Sequence, residues 1–244
     1  MTATGSTRYA PSYLARAAGA RDWVATVGCL LALVLWDFSG ADAVVTGWFG
    51  NVRGFAWRNH FLTATVMHDG GRLLAWATLL GLLVCAVRQP VGVPVGVGVG
   101  STPQRAERLY WFAVTLGCLM LIPTIKHFSA TSCPWDLAEF GGTAHAVSHW
   151  LWGVPDGGSG HCFPSGHAVG AFAFLSQYFL WRPHRAGRAR AWLMGVLAAG
   201  SIFGLGQLVR GAHPVSHSAW SAWLCWTACV LASAWYGRRS RSGA

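Results

Sequence analysis

Three stretches of this 244-residue chain, 109–125, 191–209 and 211–237, contain no Asp, Glu, Lys or Arg. Charge-free runs of that length are what hydrocarbon demands of a helix, because lipid offers no water to satisfy polar groups. A soluble core would not need three. Weaker candidates at 23–41, 72–88 and 166–181 bring the expected count to six spans, the first with Asp37 near one end. The expected class is an all-α polytopic integral membrane protein. One domain would cover 23–236, between a segment 1–22 and a basic tail 237–244.

Six spans with both termini cytoplasmic put 1–22, 89–108, 182–190 and 237–244 inside, and 42–71, 124–165 and a turn near 210–214 outside. Thirteen of the 18 Lys and Arg then fall inside, counting Arg88 at the inner end of the second span, leaving Arg53, Arg58, Arg72, Lys126 and Arg210. That bias is the orientation signal of a membrane protein. The formal charge of +10 is therefore a topology signal facing anionic lipid, not a nucleic-acid footprint. Ala41-Asp42-Ala43 resembles a signal-peptidase site, but the basic stretch before the apolar run is long for a signal peptide. The segment 91–100, VGVPVGVGVG, reads as a cytoplasmic linker.

Nine of the ten histidines fall outside or at outer span ends, with His184 the exception. Five cysteines lie within spans. Cys133 and Cys162 are the two in the outer loop, where an oxidising compartment predicts that they pair. Closing a loop of about 30 residues stabilises by roughly 3–4 kcal/mol on the chain-entropy model. The tryptophans Trp48, Trp57, Trp135, Trp150 and Trp152 fit an interfacial belt.

The pairing would bring Cys133 beside GHCFPSGHAV, residues 160–169. There Pro164 sets the chain direction, Ser165 is a good N-cap, Gly166 admits a ligand to the backbone, and an apolar run follows. The free N–H groups of such a helix start suit an anion, and His167 is placed to move a proton. Two more clusters share this depth. Lys126 ends the third span ahead of Cys133-Pro134-Trp135-Asp136, and QLVRGAHPVSH, 207–217, places His213 at the mouth of the sixth helix with His217 one turn on. Ionisable groups at membrane depth are costly and mark function. His68 and Asp69 in MHDGGR read equally well as a polar helix entrance, and stay outside the expected core site.

Order and spacing resemble the type 2 phosphatidic acid phosphatase superfamily, with its motifs KxxxxxxRP, PSGH and SRxxxxxHxxxD on six transmembrane helices and an outward-facing site. Pro164, Ser165, Gly166 and His167 match the second motif in full. In the first, Lys126 and Pro134 match and Cys133 replaces arginine; in the third, His213 matches, Gly206 and Gln207 stand for Ser-Arg and His217 for Asp. Arg210, about 60° round a helix from 207, is the expected stand-in for the missing cation. Asp136 or His217 would orient the nucleophile.

The resemblance implies a metal-independent, cofactor-free phosphatase or lipid phosphotransferase acting on a phosphorylated or pyrophosphorylated lipid at the periplasmic face of a bacterial inner membrane, with water or another lipid as the acceptor. His213 would attack phosphorus and His167 protonate the departing oxygen; Lys126, Arg210, Gln207 and the N–H groups of 165–167 would hold the phosphoryl oxygens. The lipid bilayer is the expected partner. Two rivals are a zinc hydrolase using His145, His149, His213 and His217, and a non-catalytic protein that binds or transports an anionic lipid.

Overall fold

The computed structural model describes residues 18–88 and 102–242 and is almost wholly helical. Arg8, Arg16, the linker 91–100, residues 243–244 and most of 1–22 lie outside the described residues. Helix α1 (Ala20–Phe38) turns through 68° into α2 (Ala41–Gly47). A two-residue hairpin follows, β1 (Gly50–Asn51) against β2 (Gly54–Phe55). A π-helix, Leu62–Gly70, runs without a break into α3 (Gly71–Val87), and α4 spans Arg105–His127. Beyond an outer loop come α5 (Val169–Phe172), α6 (Leu175–Trp181), α7 (Ala186–Val209) and α8 (Val215–Ser242).

Local chemistry starts the long helices where the sequence allows. Asp22 accepts from the Gly19 N–H at 2.9 Å, and Glu107 from the Gln104 N–H at 2.7 Å, each three residues into its helix as in a capping box. Among the described residues, three helices are long and apolar enough to cross a membrane: Leu62–Val87, Arg105–His127 and Ala186–Val209. The bent pair α1–α2 makes a fourth if it counts as one span. Their apolar side chains point outward, among them Leu31 and Leu35 on α1, Leu73 and Leu80 on α3, and Met194 and Leu205 on α7. Water would not tolerate such a surface, and lipid requires it.

The expected span at 166–181 takes a different form. Its helix starts only at Val169, breaks at Ala173–Phe174 and lies inside the bundle, packed on α4, α7 and α8. From Ala168 to Leu180 almost every side chain is buried. In lipid, close packing of small residues replaces the hydrophobic drive between helices. Gly200 on α7 provides it, since a Cβ there would sit 2.2 Å from the Phe172 ring. A buried hydrogen bond of 2.7 Å between Thr115 and Ser176 hydroxyls joins α4 to α6. At the end of the bundle away from His167 and His213, Arg182 holds both oxygens of Asp22 at 2.9 Å and pins α1 to the end of α6.

Candidate active site

The loop from Gly160 to Ala168 is fixed by its neighbours. His161 N–H donates to Ser129 O at 2.8 Å and Cys162 N–H to Thr131 O at 2.9 Å, so 161–162 lie alongside 129–131. Ser165 is fully buried: its N–H donates to His217 O at 3.0 Å, and its carbonyl accepts from the Ser221 hydroxyl at 2.9 Å. Its own hydroxyl accepts a 3.4 Å bond from the Ala168 N–H. Two expectations change accordingly. Ser165 does not cap a long helix, and its N–H is already committed to α8. The N–H groups of Gly166 and His167 donate to none of the described residues. Lys126 lies against Gly166, with Nζ 3.7 Å from where a Cβ would be. A larger residue at 166 would press on the ammonium.

His213 sits in the turn between α7 and α8, held by backbone. Helix α7 ends through Arg210 into Gly211, whose φ of 72° closes the helix in the left-handed region. Ala212 and His213 N–H groups both donate to Gln207 O, at 2.9 and 3.3 Å. Trp135 N–H donates to Gly211 O at 2.9 Å, tying the outer loop to this turn. The Cys133–Cys162 disulfide forms as expected and joins the same corner. Cys162 Sγ is 3.3 Å from His213 Nδ1, and Cys162 O is 2.9 Å from His217 Nδ1. That contact puts the His217 proton on Nδ1, where it donates to the carbonyl. Rings 213 and 217 are 5.8 Å apart. Burial, with the neighbouring charges of His217, Lys126 and His167, pushes His213 well below the ordinary histidine value. The imidazole is therefore neutral at physiological pH, as a nucleophile must be.

His167 has company that its sequence context did not reveal. The π-helix folds over it so that His167 Nε2 lies 3.3 Å from Met67 O and the His68 ring stacks on it at 4.6 Å. His68 Nδ1 in turn is 3.0 Å from Asp69 Oδ1, and Phe203 closes another side at 5.2 Å. A π-helical stretch at a polar site fits the usual association of such turns with function. The signal was present in MHDGGR, but reading it needed the register of the π-helix.

The other expected residues are placed unevenly. Arg210 Nε donates to Arg58 O at 2.9 Å, its guanidinium stands 6.0 Å from the Trp135 ring, and its buried Nη1 has no partner among the described residues. Gln207 contributes its backbone carbonyl to the His213 turn, while its buried side-chain Nε2 has no partner among the described residues. Asp136 makes no ion pair with a histidine among the described residues; its carboxylate accepts from the Ser159 hydroxyl at 3.1 Å. The expected orienting role of Asp136 is replaced by a role in the loop.

The zinc reading loses its geometry. His145 and His149 lie on non-helical chain, not on one helix face, and His145 N–H donates to Asp156 O. Among the described residues, the one three-residue group with ligand atoms all within 4.8 Å is Cys133, Cys162 and His213, whose two sulfurs are bonded to each other.

Three carboxylates that no motif marked organise the surroundings. Asp156 accepts from the Ser132 hydroxyl at 2.7 Å and the Gly158 N–H at 3.0 Å, closing the outer loop on itself. Burial pushes its carboxyl up, and these hydrogen bonds outweigh burial and hold it below the usual carboxylate value. Asp37 accepts from Trp220 Nε1 at 2.9 Å and Trp150 Nε1 at 3.2 Å, with His149 Nε2 also at 3.2 Å. Nearby, Asp42 accepts from the N–H and hydroxyl of Ser216, capping the first turn of α8.

Comparison with known proteins adds one match. A family model described as PAP2 superfamily covers residues 105–241, from the first turn of α4 to the last of α8. The chain matches no curated protein and no solved structure.

Proposed function

The chain belongs to the PAP2 superfamily, whose members are phosphatases of phosphate esters, often lipids, and on that premise we propose that it dephosphorylates a phosphorylated or pyrophosphorylated membrane lipid through a phosphohistidine. The observation that carries this reading is the His213 corner. A neutral, buried imidazole has its Nδ1 turned to Cys162, which leaves Nε2 for phosphorus.

In the reaction, His213 Nε2 attacks phosphorus as the P–O bond to the lipid breaks, and His167 gives a proton to the departing oxygen. His167 then takes a proton from water, which attacks the phosphohistidine and releases inorganic phosphate. Lys126 and the N–H groups of Gly166 and His167 hold the phosphoryl oxygens, where preorganised donors give most of the rate gain. Arg210 Nη1 and Gln207 Nε2, each without a partner among the described residues, are further donors for that role. The scheme needs no cofactor.

The membrane arrangement belongs to the same proposal. Helix α8 and the broken α5–α6 add two crossings to the four apolar ones, giving six with both termini cytoplasmic and the histidines periplasmic in a bacterial inner membrane. The charge bias of the loops and the disulfide support this orientation.

The test is phosphate release by the purified full chain across a panel of phosphatidate, phosphatidylglycerol phosphate, polyprenyl diphosphate and lipid A, beside His213→Ala and His167→Ala. Release from a lipid that vanishes in His213→Ala and persists in chelator supports the reading. Activity lost in chelator and restored by zinc supports a metal hydrolase, and lipid binding without turnover supports a transporter or binding protein.

A further inference from the structure

The site has a nucleophile with no carboxylate directly beside it. Position 217, one turn into α8, carries a histidine whose Nδ1–H is committed to Cys162 O. Behind it stands His149, edge-on at 5.7 Å between ring centroids and 89° between planes. His149 is stacked flat on Phe163 at 4.1 Å, two residues ahead of Ser165 in the chain. Its Nε2 lies 3.2 Å from Asp37 Oδ2, and the Asp37 side chain is 2% exposed.

A buried carboxylate at the C-terminal end of α1 is in an unfavourable place twice over. It faces the negative end of its own helix and sits at membrane depth. Two indole N–H groups already converge on Asp37 Oδ2, so tethering Trp150 and Trp220 would not by itself require a histidine in the same position. Asp37, His149 and His217 also line one cavity of about 250 Å³, together with Asp42 and Asp156, so the three border a single space behind the nucleophile.

We propose that Asp37 and His149 are positioning residues for the His217–His213 pair, supplying from α1 and the outer loop the carboxylate that position 217 lacks. This rests on the reading of His213 as nucleophile. As His213 Nε2 bonds to phosphorus the ring gains positive charge, and a fixed negative charge along the 37–149–217 line stabilises it while holding His149 and His217 in place. No proton needs to travel the line. The charged and titratable groups facing it are Asp42 toward His149, and Lys126 and His167 toward His213, with Lys126 also toward His217.

The experiment compares Asp37→Asn and His149→Gln in the wild-type chain and in a His217→Asp background. Each is purified full length and assayed for phosphate release on the panel lipid that the wild type turns over fastest. Asparagine keeps an oxygen for both indoles, so Asp37→Asn preserves the tether and removes the charge. The expected result is a fall of about tenfold in kcat with KM changed less than about twofold, and an altered acid limb of the kcat profile. In His217→Asp, where a carboxylate stands one turn from His213, the same substitutions should cost little, a non-additivity that a packing role would not produce. Wild-type kcat and pH profile in Asp37→Asn, or equal losses in both backgrounds, overturns the proposal. If His217→Asp does not fold, the pH profiles of Asp37→Asn and His149→Gln decide alone. A His213→Ala chain that still turns over overturns the phosphohistidine reading and this proposal together, whereas loss in His213→Ala with no effect at 37 and 149 overturns only the latter.

Discussion

The two histidines of the site are held in opposite ways. His213 is buried in a corner made of a helix C-cap, a disulfide and backbone carbonyls. His167 lies under a π-helical turn, stacked on a partly exposed His68 that leans on Asp69. On the proposed mechanism the difference matches the two jobs. A nucleophile must stay neutral and aimed, which burial and a rigid backbone ensure, whereas an acid–base group must exchange protons with water and needs an open side.

The largest effect that would break this comparison is at the histidines themselves. His213→Ala should abolish turnover. His167→Ala should lower it by about 10²–10⁴, with less loss on a substrate whose leaving group needs no proton, measured as phosphate release from the lipid and from an activated aryl phosphate. Equal losses on both substrates would mean that His167 does not protonate the leaving group.

Next in size is the covalent tie. Cys133→Ser opens a cross-link of 29 residues, and on the chain-entropy model that costs about 3–4 kcal/mol. Thermal unfolding should show the loss, and kcat should fall with it because Cys162 contacts both His213 and His217. Gly211→Ala acts on the same corner without touching a reacting group. It puts a Cβ in the left-handed region, 2.3 Å from the Phe55 ring, and should destabilise by about 1–3 kcal/mol. A chemical-denaturation curve checks it.

The closed side should also show in pH. An unfolded histidine titrates near 6.5, and folded His213 titrates well below that. Its neutral form therefore contributes stability that is present above pH 6.5 and is lost as pH falls toward the folded value. The wild type should therefore lose more stability than His213→Gln between pH 7.5 and 5.5, read from denaturation curves at the two pH values. The smallest effect is expected on the open side: His68→Ala should reduce kcat by about threefold to tenfold, visible as a change in the pH profile with little change in melting temperature.

What the sequence disclosed follows from what is local. Residues 109–125 and 191–209 announce themselves because a charge-free run of that length needs no partner to be recognised. The disulfide was legible from compartment, since Cys133 and Cys162 were the two cysteines outside the apolar runs. By contrast, the break at Ala173–Phe174 depends on packing against α7 at Gly200, and the π-register over Leu62–Gly70 leaves no periodicity distinct from an α-helix. The commitment of the Ser165 N–H to His217, the Asp156–Ser132 clasp and the approach of Asp37 to His149 join positions far apart in the chain. None of them leaves a pattern within any window, which is why Asp136, close in sequence to the site, was the carboxylate expected there.

The most direct measurement is of the intermediate. The purified chain is mixed with its lipid substrate, quenched within a turnover under alkaline conditions that preserve phosphohistidine, and mapped by mass spectrometry. The account predicts phosphate on His213, absent in His213→Ala and slower to clear in His167→Ala. Phosphate on another residue, or turnover that survives without His213, would contradict it.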